Sequence, residues 1–237
     1  METKFKIGTR TSPLALAQVR EIKQALFKRY PEISFEVHGF DTYGDKDKKT
    51  PISEIEGTDF FTREIDSALI NHDIDLAIHS AKDLADHISE ELVVAAITDS
   101  IDPYDVLVSR DNIDIDHLPY GARVGTSSNR RKKQIAAYRK DLVIINIRGN
   151  IEERLQFLEE NVSNSKSVDA LVLAAAGLVR LGLEHCITQR LPFDIVKPHH
   201  LQGCLTVVVR KKDKELIKML SVLGLDRENE RREVYEN

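Results

Sequence analysis

Again and again in this chain a short apolar run breaks off into a polar turn and resumes as an amphipathic helical segment. FKIG leads through TRTS into PLALAQVREIKQALFKRY, ARVG through TSSN into RRKKQIAAY, and LVIIN through IRGN into IEERLQFLEE. LVLAAAGLVRLGL makes the same change of period with no linker, and LTVVVRKKDKELIKML makes it once more near the end. Runs of this length are too short to be buried helices, and strands that alternate with helices predict open α/β sheets covered by helices. In the first helical segment Leu16, Val19 and Ala25 or Leu26 recur at helical spacing. Thr11 or Ser12 caps it, with Pro13 at its first position. ISFEVHGF at 33–40 reads as the next strand, FFTREIDSALI as a helix with Phe61, Ile65 and Leu69 along one face, and DLAIHS and ELVVAAIT as two further strands. The pattern restarts near residue 99 with DPYDVLVSR, which points to two similar units, and ENVSNSKSVD reads as an exposed polar loop.

Composition removes several functions. With 237 residues and a formal net charge of −5, the chain is long enough for two modest domains and is not a general nucleic-acid binder. No apolar run approaches the roughly 18 residues of a membrane span, and METKFKIGTR has no signal-like apolar stretch, so a soluble cytoplasmic protein without membrane association is expected. Cys186 and Cys204 are too few for a disulfide framework or thiolate metal site, and the pair His199 and His200 lacks ligand spacing, so no metal is expected. No loop contains GxxxxGK[ST] or GxGxxG, which removes nucleotide triphosphates and dinucleotides.

In open α/β sheets ligands gather where strand ends lead into helix starts, and four such points are loaded with polar groups. GTRTSP presents Arg10 and Ser12 at a helix start, a natural seat for an anion. GTSSNRRKK presents Ser128 followed by Arg130 and Arg131, cations that oppose the dipole of a first turn and call for an anionic partner. NIRGNIEERL presents Arg148 and, in a helix that Asn150 can cap, Arg154. Separated arginines suit a ligand with several separated carboxylates, since guanidinium forks match carboxylates bidentately. At the fourth point, DLAIHSAKDLAD, a buried strand ends in His79, Ser80, Lys82 and Asp83. Asp83 would stay ionised amid these cations and could offset a positive charge formed on a substrate; His79 reads as a packed strand-end residue.

IGTRTSPLALAQ, DLAIHSAKDL, DPYDVLVS, VGTSSNRRKKQ, NIRGNIEERL and LVLAAAGLVRLGL resemble, in order, motifs of the porphobilinogen deaminase (hydroxymethylbilane synthase) family, from residue 5 to about 210. The resemblance implies two periplasmic-binding-protein-like α/β domains with a cleft between them. The first would comprise 1–97 plus a returning segment at 196–212, the second 98–195, and 213–237 would form a C-terminal helical tail. It implies a transferase of tetrapyrrole and heme biosynthesis that condenses porphobilinogen units with release of ammonia. Asp83 would be its catalytic carboxylate. Arg10, Ser12, Lys82, Ser128, Arg130, Arg131, Arg148 and Arg154 would bind substrate or cofactor.

The family's dipyrromethane primer is expected as a cofactor, but its usual anchor, a cysteine in a third domain, has no counterpart here, since the chain ends at RENERREVYEN about where that domain would begin. Cys204 is the candidate alternative anchor, because it alone lies in a matched block. Thr58, Asp59, Tyr43, Leu201 and Val179 also stand where the family usually has lysine, glycine, arginine, glycine and lysine. Two readings stay open at this point: a synthase-like enzyme, and a protein that binds a tetrapyrrole or other polycarboxylate without polymerising it. Oligomeric state is not readable.

Overall fold

The computed structural model describes residues 3–47, 58–85, 87–159 and 167–224. In chain order its elements are β1 (Thr3–Arg10), α1 (Pro13–Phe27), β2 (Ile33–Phe40), α2 (Tyr43–Lys46), α3 (Arg63–Ile70), β3 (Leu76–Ser80) and β4 (Leu92–Ile97). There follow β5 (Asp105–Ser109), β6 (Arg123–Gly125), α4 (Asn129–Tyr138), β7 (Val143–Ile145), α5 (Ile151–Glu159), β8 (Ala170–Ala174), α6 (Ala175–Leu181), β9 (Gln189–Arg190), β10 (Leu205–Arg210) and α7 (Lys214–Leu220). A short 3-10 turn, Ala81–Asp83, closes β3.

These elements form two compact units, each with its own sheet. Among the described residues, the first takes those up to 100 together with those from 204 onward, and the second takes those from 101 to 203. In the first the strand order is β2-β1-β3-β10-β4, with β1 parallel to both β2 and β3, and β10 antiparallel to both its neighbours. In the second the order is β7-β6-β8-β5-β9, with β6 parallel to β7 and β8, and β5 antiparallel to β8 and β9. The two sheets therefore share one plan: three parallel strands, then one reversed strand, then an edge strand. In the first unit the reversed strand comes from the end of the chain, whereas in the second it comes first.

The central strands of both sheets, β3 and β10 in one and β5 and β8 in the other, are buried on both faces, which is why they read as continuous apolar runs. Leu76 and Ile78 of β3 pack with Val19, Ile22 and Leu26 of α1, and with Leu216 and Leu220 of α7. Ala77, between them on the strand, packs on the other face with Ile65, Ala68 and Leu69 of α3. In the second unit Leu107, Val124, Ala170 and Val172 face Ile135, while Val106, Val108, Leu171 and Leu173 face Leu178 and Ile147. Gly8 permits this packing in β1, because a Cβ there would stand 2.2 Å from Ile74 Cδ1.

Some expectations shift. The buried stripe of α1 is Ala15, Val19, Ile22 and Leu26, and Leu16 lies outside it, exposed. The 3.6-residue period fits both choices of stripe until the sheet selects one. Phe61 precedes α3 rather than belonging to it. Residues 196–203, expected with the first unit, group with the second, since Val196 lies in its core and Gln202 bonds to Arg131 and Asp105. Of the tail expected at 213–237, α7 packs into the first unit's core, and residues 225–237 lie outside the described residues, as do 160–166 of the loop ENVSNSKSVD. Among the described residues no helix is long and apolar enough to cross a membrane.

Candidate functional site

In each unit the polar residues singled out above collect at the carboxyl ends of the parallel strands. In the first unit β1 ends in Arg10, and Ser12, two residues on, caps α1 by accepting from the Ala15 N–H at 3.2 Å. Arg10 is held inside the protein. Its Nε donates to both oxygens of Asp45 at 3.2 and 3.1 Å, and its guanidinium carbon stands 4.6 Å from the centre of the Phe61 ring. Asp45, on α2, also accepts from the N–H and hydroxyl of Thr42 at 3.2 and 2.7 Å. Burial pushes the Asp45 carboxyl upward, but the Arg10 hydrogen bonds and charge together with the Thr42 bonds outweigh it and hold the group below the usual range. The anion at Arg10's seat is thus one of the protein's own.

β3 ends alongside. Ser80 accepts from Gln18 of α1 at 2.7 Å, and the following turn carries half-buried Lys82 and exposed Asp83. That turn is fastened by the Ala81 N–H, which donates to the Cys204 carbonyl at 3.0 Å. A small cavity of about 50 Å³ opens here, lined by Arg10, Ser12, Gln18, His79, Ser80 and Asp83 among others. His79 is 5% exposed, and its Nε2 has no hydrogen-bond partner among the described residues. Burial, aided by the Arg10 charge and opposed by Asp83, pulls its pKa down to about 4, so the ring is neutral at pH 7. Cys204, the candidate anchor, is only 9% exposed, so its thiol is not presented to solvent as that of a reactive cysteine is.

The second unit is organised around a carboxylate the sequence reading passed over. Asp105, at the start of β5, has a fully buried side chain and accepts from Arg130 Nη2 at 2.6 Å, Arg131 Nε at 2.8 Å and Gln202 Nε2 at 3.0 Å. Arg131 donates in addition to the Val172 carbonyl at 3.3 Å and to Gln202 Oε1 at 3.2 Å, and Arg130 to the Lys197 carbonyl. Burial would raise the pKa of Asp105, but the two guanidinium charges and their hydrogen bonds overcome it and hold it low. The anion demanded by two cations in the first turn of α4 is therefore supplied 25 residues upstream.

The turn before α4 differs in the hydroxyls it carries. Thr126 and Ser127 are buried, and both hydroxyls lack a hydrogen-bond partner among the described residues. Ser128, at the N-cap position, makes no side-chain capping bond. These three hydroxyls sit at the positive end of a ten-residue helix. At the next strand end Arg148 is half-buried, and Arg154 Nε donates to the Gly149 carbonyl at 2.8 Å. α5 starts with a reciprocal capping box, in which the Glu153 N–H donates to Asn150 Oδ1 at 2.8 Å and the Asn150 N–H to Glu153 Oε2 at 2.9 Å. Gly149 is required there: its φ is +113°, and a Cβ would stand 2.5 Å from Glu153 Oε2.

Each strand end thus gathers the residues expected of it, and it adds Asp45, Gln18, Asp105, Thr126 and Ser127. Threonines and serines in a polar turn gave no signal of their own. The signal for Asp105 lay in a charged residue opening an otherwise apolar run. Among the described residues, no three His, Cys, Asp or Glu side chains are grouped as a metal ion would require.

Comparisons with known proteins agree on a family. The family model described as the porphobilinogen deaminase, dipyrromethane cofactor binding domain matches residues 5–218. A porphobilinogen deaminase from Natranaerobius thermophilus is 43% identical over 220 residues, covering 93% of this chain and 70% of the relative. One from Brevibacillus brevis is 42% identical over 217 residues, covering 92% and 69%. Among solved structures, a methionine binding protein superposes with a TM-score of 0.53 at 14% identity, covering 96% of this chain and 92% of the other. A lipoprotein from Actinomyces odontolyticus gives 0.53 at 12%, covering 99% and 96%. At such identities these two show the fold alone.

Proposed function

The chain belongs to the porphobilinogen deaminase family, and we propose that it is a hydroxymethylbilane synthase-like transferase, joining porphobilinogen units with release of ammonia. The observation that carries this reading is Asp83, an exposed carboxylate that shares a cavity with Arg10, Ser12 and Ser80 at the ends of β1 and β3. A receptor for carboxylates gains nothing from a carboxylate of its own at that place, whereas a reaction that creates positive charge does.

In porphobilinogen the bond between the aminomethyl carbon and its nitrogen breaks, the nitrogen leaves with its electron pair and a proton as ammonia, and the remaining methylenepyrrolenine carries the charge. A second pyrrole α-carbon forms the new C–C bond and then loses its proton. Asp83 faces the substrate pyrrole and offsets the positive charge that develops on the ring, an interaction worth between about 1 kcal/mol in bulk water and about 4 kcal/mol near a protein surface at 4 Å. Ser12, Lys82 and Arg10 flank it and orient the acetate and propionate.

The buried, unpartnered hydroxyls of Thr126 and Ser127 are a fit for carboxylate oxygens at a helix start. Thr126, Ser127, Ser128, Arg148 and Arg154 would hold the carboxylates of the dipyrromethane named in the family's description. When bound, that group supplies the pyrrole α-carbon that acts as nucleophile. Arg130 and Arg131 serve this surface by fixing the first turn of α4 on Asp105.

Asp83→Asn keeps the shape and removes the charge, so it should lower ammonia release from porphobilinogen by about 10²–10³ while leaving binding of porphobilinogen and of a linear tetrapyrrole intact or tighter. Titration of both ligands alongside an ammonia assay decides the matter. Binding without ammonia release by the unaltered protein would leave the non-polymerising binder standing, and undiminished turnover in the Asn variant would remove Asp83 from the chemistry.

A further inference from the structure

His79, next to the last residue of β3 and 5% exposed, lines the cavity that Asp83 and Arg10 also line, and its buried Nε2 has no hydrogen-bond partner among the described residues. Its neighbour Ser80 has its hydroxyl engaged by Gln18. Buried polar atoms without partners are rare in folded proteins, because each forfeits the water it left, and one in a residue that lines a cavity can complete its bond with the polar group of a molecule entering there.

Resting on the reading of the cavity given above, we infer that His79 is a second substrate-binding residue there, its Nε2 accepting a hydrogen bond from the pyrrole N–H that Asp83 also faces. The sense of the bond follows from the surroundings. Asp83 repels a ligand carboxylate from this wall and favours a donor, and Arg10 has its anion in Asp45. A ring kept neutral by burial and by Arg10 can accept such a bond without adding a further charge beside the developing ring cation. His79 thereby orients the pyrrole, and Asp83 answers its charge.

Three variants and one altered ligand test this. Glutamine places an amide oxygen near where Nε2 stood, asparagine falls short of it, and phenylalanine keeps the ring without the nitrogen. His79→Phe and His79→Asn should weaken porphobilinogen binding by about three- to tenfold, with His79→Gln within about twofold of the unaltered protein. Porphobilinogen methylated at the pyrrole nitrogen should bind the unaltered protein and the Phe variant equally. Unchanged porphobilinogen affinity in His79→Phe overturns the inference, as does an equal loss for the methylated ligand, which would mark a packing role. If the Phe variant fails to fold, the split between Gln and Asn decides in the same way. An unaltered protein that does not bind porphobilinogen overturns the proposed function, and this inference with it, before any variant is made.

Discussion

In the 101–203 unit the carboxylate that gathers the arginines, Asp105, has no exposed surface and stands between two guanidinium groups and an amide; in the other unit Asp45 does a similar task for one arginine with both side chains about a quarter exposed. The same sheet plan therefore carries two kinds of charge. One is sealed and structural, with hydroxyls left over at the helix start beside it. The other is about a quarter exposed, beside an exposed carboxylate, Asp83, and a buried imidazole, His79, that line one cavity. A strand order positions a site; what is buried around it decides whether its charges serve the fold or the ligand.

The largest expected effect breaks the sealed cluster. Asp105→Ala leaves Arg131, 7% exposed, without its counter-charge and should cost about 3–5 kcal/mol, the range for stripping one partner from a buried ion pair. Asp45→Ala, in the half-exposed setting, should cost about 1 kcal/mol. Hydrogen exchange read separately on β8 and β3 assigns each loss to its unit. Equal losses would show that the two pairs are not different in kind.

Acid should separate the units next. Asp105 is held below its ordinary 3.8, so its contribution is intact above that value and is lost only as pH falls further, through its lowered pKa. The first unit responds earlier, through two groups of opposite sign. His79, with its pKa lowered from 6.5 to about 4, contributes stability that is full above 6.5 and lost as pH falls toward 4, about 3 kcal/mol in all. Asp66, raised by burial from 3.8 to about 6, favours the fold when protonated, and that contribution is lost as pH rises through 6. Between pH 4 and 6 the two offset each other. His79→Phe should therefore tilt the first unit's stability downward with rising pH over this range, and Asp66→Asn should tilt it upward and stabilise the protein by about 3 kcal/mol at pH 7. Denaturation followed across pH 4–7 reads both slopes; parallel profiles for the two variants would refute the offset.

The smallest effect concerns the two helix-start serines. Ser12 caps α1 and Ser128 makes no capping bond, so Ser12→Ala should cost about 1 kcal/mol, while Ser128→Ala should leave stability unchanged and weaken ligand binding instead. Thermal melts and a titration of the linear tetrapyrrole separate the two roles.

Much of this comparison was legible in the residues. Capped helix starts after apolar runs gave the strand-turn-helix rhythm, and Ser12, Pro13, Asn150 and Glu153 lie in the helix starts that local chemistry asked for. The unreadable part is long-range. Arg130 and Arg131 announced an anionic partner, but that partner could be a ligand or a distant carboxylate, and only the sheet brings Asp105 to them. Arg10 was ambiguous for the same reason, because Asp45 lies 35 residues away. His79 read as a packed residue and is packed; that it also lines a cavity depends on strand pitch and neighbours no local pattern encodes.

β10 has a consequence for how the molecule is made. It lies between β3 and β4, so until residues 205–210 leave the ribosome the first unit's sheet has a gap at its centre, and Leu76 through Ser80 offer a bare, apolar ladder edge. The 101–203 stretch, by contrast, carries its reversed strand at its own beginning and can close its sheet while the nascent chain is still growing. The half synthesised later thus completes itself first, and the half that bears Asp83 matures last, through pairings more than 100 residues apart in sequence. During that interval it is the half bearing Asp83 that carries an unpaired strand edge.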